Sequence, residues 1–148
     1  MTQWLTRRTV ALALALVGAL TCLPAFAAAE VKIGVLLPLS GKGSAYGQHQ
    51  EIAMKMALEE LEKTGIKGEP LKLFVYDTRG ENTEAINLTR KLIHTDKVLA
   101  IVGPFFSAES EVAFPVAVQG KTPIITASSA NPGIAAKNPP AGVRTALP

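Results

Sequence analysis

Val31–Leu37 reads VKIGVLL, a β-branched and aliphatic run with little alternation. That is the pattern of a strand covered on both faces. Working outward, Pro38–Gly47 holds four glycines or prolines and two serines, the composition of a loop. From Gln48 onward, Ile52, Ala53, Met56, Ala57 and Leu61 fall at helical spacing, and Gly65 with Gly68-Glu69-Pro70 ends that helix. Leu71–Tyr76 (LKLFVY) repeats the strand pattern and Asp77 closes it. Thr78–Asn82 forms a turn in which Thr78 or Asn82 is placed to cap the next helix. Ala85, Ile86, Thr89, Leu92 and Ile93 give that helix its inner stripe. Val98–Val102 (VLAIV) is a third strand, broken by Gly103-Pro104. Ser107–Val118 reads as a helix bent or shortened by Pro115. Pro123–Thr126 is a short fourth strand, Ser128–Gly133 a loop and Val143–Leu147 a fifth strand. Strands alternate with helices and no repeat occurs, so the expected fold is a doubly wound parallel α/β sheet of flavodoxin-like order 2-1-3-4-5.

Upstream, residues 1–27 have the character of an address. Arg7 and Arg8 lie in an acid-free start, and Val10–Leu23 is almost wholly Ala, Leu and Val. Ala25-Phe26-Ala27 then supplies a small-x-small processing site, which predicts a secretory signal cleaved near Ala27. The apolar run is too short for a membrane span, which needs roughly 20 residues. Arg7-Arg8 also fits a twin-arginine signal. Ala19-Leu20-Thr21-Cys22 resembles a lipoprotein box, with Thr21 a poor residue before the cysteine.

Composition removes several functions. The chain has 148 residues, a formal net charge of +3 and one cysteine. That charge is too small for a nucleic-acid surface. The lone cysteine and two histidines form no zinc-ligand cluster, and no cofactor or metal is implied. Cleavage near Ala27 removes Cys22, so the exported domain relies on its apolar core.

In open parallel sheets, ligands bind beyond the carboxyl ends of the strands, near helix N-termini. Ser40–Gly47, Gly103–Ser107 and Thr126–Asn131 converge there, rich in Ser and Gly and poor in charge. A small polar or anionic ligand needs such hydroxyls and free amides. Ser107 opens a helix, so its hydroxyl and nearby amides either bind a carboxylate or simply cap the helix. Ser128 and Ser129 are ligand contacts or turn residues. Of Phe105 and Phe106, one side chain points inward and the other faces the cleft beside Tyr46. Catalysis is not expected: Gly41-x-Gly43 runs on to Tyr46 instead of the dinucleotide fingerprint, and there is no phosphate loop and no nucleophile elbow. Gly103-Pro104 stands where a phosphoacceptor receiver has Asp. Nothing in the spacing of Ser107, His49 and Asp77 selects a triad, and His94 near a helix C-terminus is a dipole partner.

Four segments, VKIGVLLPLSGKGSAYGQHQEIAMKMALEEL, VYDTRGENTEAINLTRKLI, VLAIVGPFFSAESEVAFPVA and TPIITASSANPGI, read in order, resemble the start of type I periplasmic binding proteins of the branched-chain amino acid family. The resemblance implies a two-lobed, periplasmic receptor that closes on a small amino acid, amide or carboxylate and delivers it to an ABC permease in the inner membrane. It assigns residues 28–148 to the N-terminal lobe, a leucine-binding-protein-like domain truncated at Pro148. It also gives the ligand carboxylate to Ser107 and the cleft wall to Tyr46, Phe105 and Phe106. The ligand ammonium meets the carbonyl at Ser128 and a threonine hydroxyl at the position of Ala130. Ala130 has no hydroxyl, which leaves Ser129 beside it as the substitute and makes aromatic or aliphatic carboxylates and amides comparatively better ligands. A ligand-sensing domain of the same fold and a non-functional remnant are the alternatives to transport.

Overall fold

The computed structural model describes residues 30–66 and 68–145. The export signal, its cleavage near Ala27, the Arg7-Arg8 pair and the box at Cys22 therefore lie outside the described residues. The elements are β1 (Val31–Leu37), α1 (Ser44–Glu62), β2 (Leu71–Asp77), α2 (Asn82–Lys91) running into a π-helical turn (Leu92–Asp96), β3 (Ala100–Val102), α3 (Ser107–Gln119), β4 (Ile124–Thr126), α4 (Gly133–Lys137) and β5 (Gly142–Arg144). All strand pairs are parallel, and the order β2-β1-β3-β4-β5 is the expected one.

One face of this sheet carries the core. Leu36, Leu92, Val98, Ile101, Phe114 and Ile124 form one buried cluster, flanked by Phe74, Tyr76, Leu88 and Ile93. Full burial of each aliphatic side chain contributes about 1.5–3 kcal/mol, so this side anchors the fold. Gly34 in mid-strand belongs to the same packing: a Cβ there would lie 2.7 Å from Leu92 Cδ1, so the glycine seats Leu92 on the sheet.

The opposite face carries α1, and here the structure departs from the sequence reading. Part of the stripe expected inside is outside: Ile52 is 57 % and Met56 66 % exposed, while Ala57 and Leu61 border the cavity beneath the helix. Gly47 is the buried residue of α1, and Gln50, Met54 and Leu58 continue its inner side. Beneath the helix, Ile33, Val35, Met54, Leu58, Leu71 and Leu73 border an open apolar cavity of about 310 Å³. The spacing specified a helix correctly, but a broad apolar surface has two flanks and the sheet covers only one.

Other boundaries move for local reasons. Helix α1 begins at Ser44 rather than Gln48, because Gly43 turns the chain at φ 82° and the Gly47 N–H closes the first turn on the Gly43 carbonyl at 3.2 Å. Neither Thr78 nor Asn82 caps α2: Glu81 holds the cap position, and the Thr78 hydroxyl accepts the Gly80 N–H. Pro115 does not shorten α3, which runs to Gln119. Helix α4, where no element is expected, follows Asn131, whose side chain accepts the Gly133 N–H at 3.0 Å. β5 starts one residue early at Gly142 and ends at Arg144, while 146–148 lie outside the described residues.

Candidate functional site

The carboxyl ends of the strands bring together the three expected loops and a fourth, Thr78–Glu81. Asp77 fastens them. Its Oδ1 accepts the N–H of Leu39 at 2.8 Å, of Ser40 at 3.1 Å and of Arg79 at 2.9 Å, while Oδ2 accepts the Ser40 hydroxyl. Burial opposes its charge, yet the Ser40 hydroxyl and these backbone donors together hold the carboxyl below the usual carboxylate range. Asp77 is therefore a loop staple and not a free acid.

The two phenylalanines separate in role. The Phe106 ring is gripped between loops: its Cζ lies 2.5 Å from where a Cβ would stand on Gly43, and its Cε2 lies 3.1 Å from the equivalent point on Gly80. Both glycines have positive φ, 82° and 73°, so an L-residue would meet strain and the ring together. Phe105 instead stacks on Tyr46 at 5.4 Å with an 18° interplanar angle, and it meets Phe106 edge-on at 4.9 Å. Tyr46 is 63 % exposed on the first turn of α1. The Tyr46–Phe105 pair is thus a surface wall, and Phe106 is the wedge that holds it up.

Ser107 is the first residue of α3, not its cap; Phe106 holds the cap position without any side-chain cap bond. The plain capping role is thereby excluded. Its hydroxyl oxygen instead accepts the Ser129 hydroxyl at 3.1 Å. Ser129 is fully buried, and its own N–H donates to Thr126 Oγ1, which in turn donates to the Pro104 carbonyl at 2.8 Å. Ser129 therefore orients Ser107, and the neighbouring Ala130 is exposed. Ser128 accepts the Gln50 side-chain amide at 2.7 Å, and Arg144 Nη1 donates to the Ser129 carbonyl at 3.4 Å. Gln50 and Arg144 carry no signal in the sequence, where a lone polar residue in a helix or at a strand end looks like any other.

Below this surface lies Glu109, in the first turn of α3. It is fully buried, its Oε2 accepts the Phe106 N–H at 3.1 Å, and its Oε1 has no hydrogen-bond partner. Burial raises its pKa, the charges of Asp77 and Glu81 add to that, and the Thr78 hydroxyl and Phe106 N–H oppose it without prevailing.

No catalytic set assembles from the residues considered. Ser107 is partnered by Ser129 and Asp77 by the loop backbone, so the two are not joined through His49. Among the described residues no group of three His, Cys, Asp or Glu is placed to hold a metal. A mainly apolar cavity of about 260 Å³ opens between α1 and the strand ends, and it includes Ser128 but neither Ser107 nor Phe105. Beside it the chain supplies an aromatic pair, Tyr46–Phe105, a Ser107 hydroxyl buttressed by Ser129, and the first amides of α3. Such an arrangement can hold a small anion on one side.

Comparisons with known proteins agree with this architecture. The family model described as "Periplasmic binding protein" matches residues 30–143. An amino acid binding protein of Pseudomonas aeruginosa is 32 % identical over 109 residues, covering 73 % of this chain and 29 % of that protein. A Leu/Ile/Val-binding protein homolog of Brucella abortus is 35 % identical, over 66 % of this chain and 24 % of that one. Among solved structures, the branched-chain amino acid transporter substrate binding protein LivJ of Streptococcus pneumoniae, in complex with isoleucine, superposes with a TM-score of 0.76. Its identity is 27 %, over 79 % of this chain and 34 % of that one. The leucine binding protein LivK of Thermotoga maritima gives a TM-score of 0.72 at 38 % identity, over 77 % and 32 % of the two chains. This chain thus spans no more than about a third of the relatives it matches. With the sheet order, the loop cluster and the family match in agreement, the chain belongs to the periplasmic binding protein family.

Proposed function

We propose that residues 28–148 form the first lobe of a periplasmic solute receptor and supply one wall of a site for a small carboxylate, of the branched-chain amino acid or related class, taken up through an ABC permease. Export by the segment ending near Ala27 belongs to the same reading. The observation that carries it is the Ser107–Ser129 hydroxyl pair at the N-terminus of α3, at 3.1 Å. Because Ser129 donates into Ser107, the Ser107 hydrogen stays available to a ligand carboxylate, and the first amides of α3 stand beside it. The Tyr46–Phe105 stack offers apolar contact to the ligand's side chain.

One observation favours a narrower choice within that class. Ala130 has no hydroxyl, and the Ser129 hydroxyl beside it is fully buried. An α-ammonium group therefore finds the Ser128 carbonyl but no exposed side-chain acceptor at positions 129 and 130, at a cost on the order of 1.5–3 kcal/mol. Carboxylates without an α-ammonium group bind this wall comparatively better.

The test is an amide-resolved NMR titration at ligand concentrations suited to a one-sided site, with leucine, isoleucine, isovalerate and benzoate. Binding shifts the Ser107 and Ala108 amides, and Ser107→Ala weakens it by about tenfold or more, one charge-assisted hydrogen bond, with the helical circular dichroism unchanged. If no carboxylate shifts those amides, or if Ser107→Ala binds as the parent does, the proposal is wrong.

A further inference from the structure

We propose that Glu109 is a positioning residue that works as a buried neutral acid: while protonated it lets the acidic β2–α2 loop close on the N-terminus of α3 and sets Phe106 and Ser107 for ligand, and on ionising it loosens both. The consequence for ligand rests on the carboxylate reading of Ser107 given above; the state of Glu109 itself does not.

The geometry makes the charged form a poor fit. Glu109 has no exposed surface, and Oε1 has no hydrogen-bond partner. The charged groups it meets from the packed elements are Asp77 at the end of β2 and Glu81 at the start of α2, both negative. The ion pairs Lys55–Glu51 and Lys72–Glu30 involve none of these residues. On its own helix, Glu111 is engaged by the Asn131 side chain. The N-terminal dipole of α3 favours an anion in its first turn, but a buried, unpaired carboxylate facing two like charges is opposed by desolvation and repulsion together. Protonated, the group is uncharged and still accepts the Phe106 N–H through one oxygen, with the fully buried Thr78 hydroxyl beside it.

The link to the binding face is short. Glu109 holds the amide of Phe106, the ring of Phe106 fills the space between Gly43 and Gly80, and Ser107 is the next residue. Gly80 belongs to the loop that carries Glu81. Repulsion at Glu109 therefore acts on the wedge and on the hydroxyl through a single peptide unit.

Carbon-detected NMR of protein labelled at its glutamate carboxyls, titrated from acidic to alkaline pH, decides the state of Glu109 without any ligand. One glutamate carboxyl is expected to titrate well above the others and to vanish in Glu109→Gln, and the Phe106 amide is expected to move with the same midpoint in the parent only. If every glutamate titrates in the ordinary range, or the Phe106 amide ignores the high midpoint, the proposal is overturned. Isovalerate is then titrated on each side of that midpoint. Its affinity is expected to fall several-fold in the parent as pH rises and to stay flat in Glu109→Gln, which resembles the neutral acid. Parent affinity unchanged across the midpoint, or Glu109→Gln binding several-fold weaker than the parent at acidic pH, overturns the positioning role. If isovalerate binds at no pH, it is the carboxylate reading that fails, and the carbon titration still decides Glu109.

Discussion

Truncating Phe106 to alanine removes a ring that the backbone has been shaped to receive. Its Cζ and Cε2 occupy the points where Gly43 and Gly80 would otherwise carry side chains, and its edge meets Phe105 at 4.9 Å. Deleting a fully buried phenylalanine costs about 3–5 kcal/mol, transfer and cavity together. Phe106 is partly exposed, and the loops around it can settle into the space, so about 2 kcal/mol is expected. For a domain of this size that corresponds to a melting temperature lower by roughly 8 °C. The neighbouring Phe105→Ala is the control: it breaks a stack with a Tyr46 that is 63 % exposed, and about 1 kcal/mol or less is lost. Urea unfolding followed by circular dichroism measures both, and the same variants report on carboxylate binding. The expected pattern is crossed, with Phe106→Ala costing stability first and Phe105→Ala costing binding at near-parental stability. Equal stability losses, or a Phe106→Ala loss below about 0.5 kcal/mol, would refute the division of labour drawn between the two rings.

Asp77→Asn gives up charge-assisted acceptance from three backbone amides, and a stability loss on the order of 1 kcal/mol is expected at neutral pH by chemical denaturation. Because the folded state holds the Asp77 carboxyl below its ordinary value of 3.8, its contribution is present above that pH and is lost as pH falls through the lower folded value. The Asn variant lacks that acid-side loss, and an identical acid profile for the two proteins would count against the staple. On α1, Ile52→Gln and Met56→Gln remove apolar side chains that are 57 % and 66 % exposed, so each is expected to change stability by less than about 0.5 kcal/mol. Phe114→Ala, at no exposure, is expected to cost about 3–5 kcal/mol in the same melts. Comparable losses on the two faces would mean that the stripe on α1 is packed after all.

Much of the architecture was legible because its signals are local. VKIGVLL, LKLFVY and VLAIV specify covered strands by composition alone, and the turn residues between them leave only crossover connections. A boundary slipped where a single backbone contact decides it, at Gly43 before α1, and α4 was missed where one side chain, Asn131, starts it. The site was legible as a set of loops and not as a set of roles. Ser107 could be placed at a helix start, but whether its hydroxyl is spent on the cap depends on Ser129, 22 residues away in the chain. The split between Phe105 and Phe106 depends on Gly43 and Gly80, which lie on two other loops.

Local sequence specifies the five strands, the first three helices, the parallel sheet and its order, because hydrophobic period and turn chemistry are properties of neighbouring residues. Only in three dimensions does it emerge that Ile52 and Met56 of α1 face outward, that Ser129 donates to Ser107, that Phe106 is a wedge, and that Glu109 is buried with one carboxyl oxygen unpartnered. Those facts depend on what lies across a gap in space, and desolvation and packing act across that gap with no regard for position along the chain.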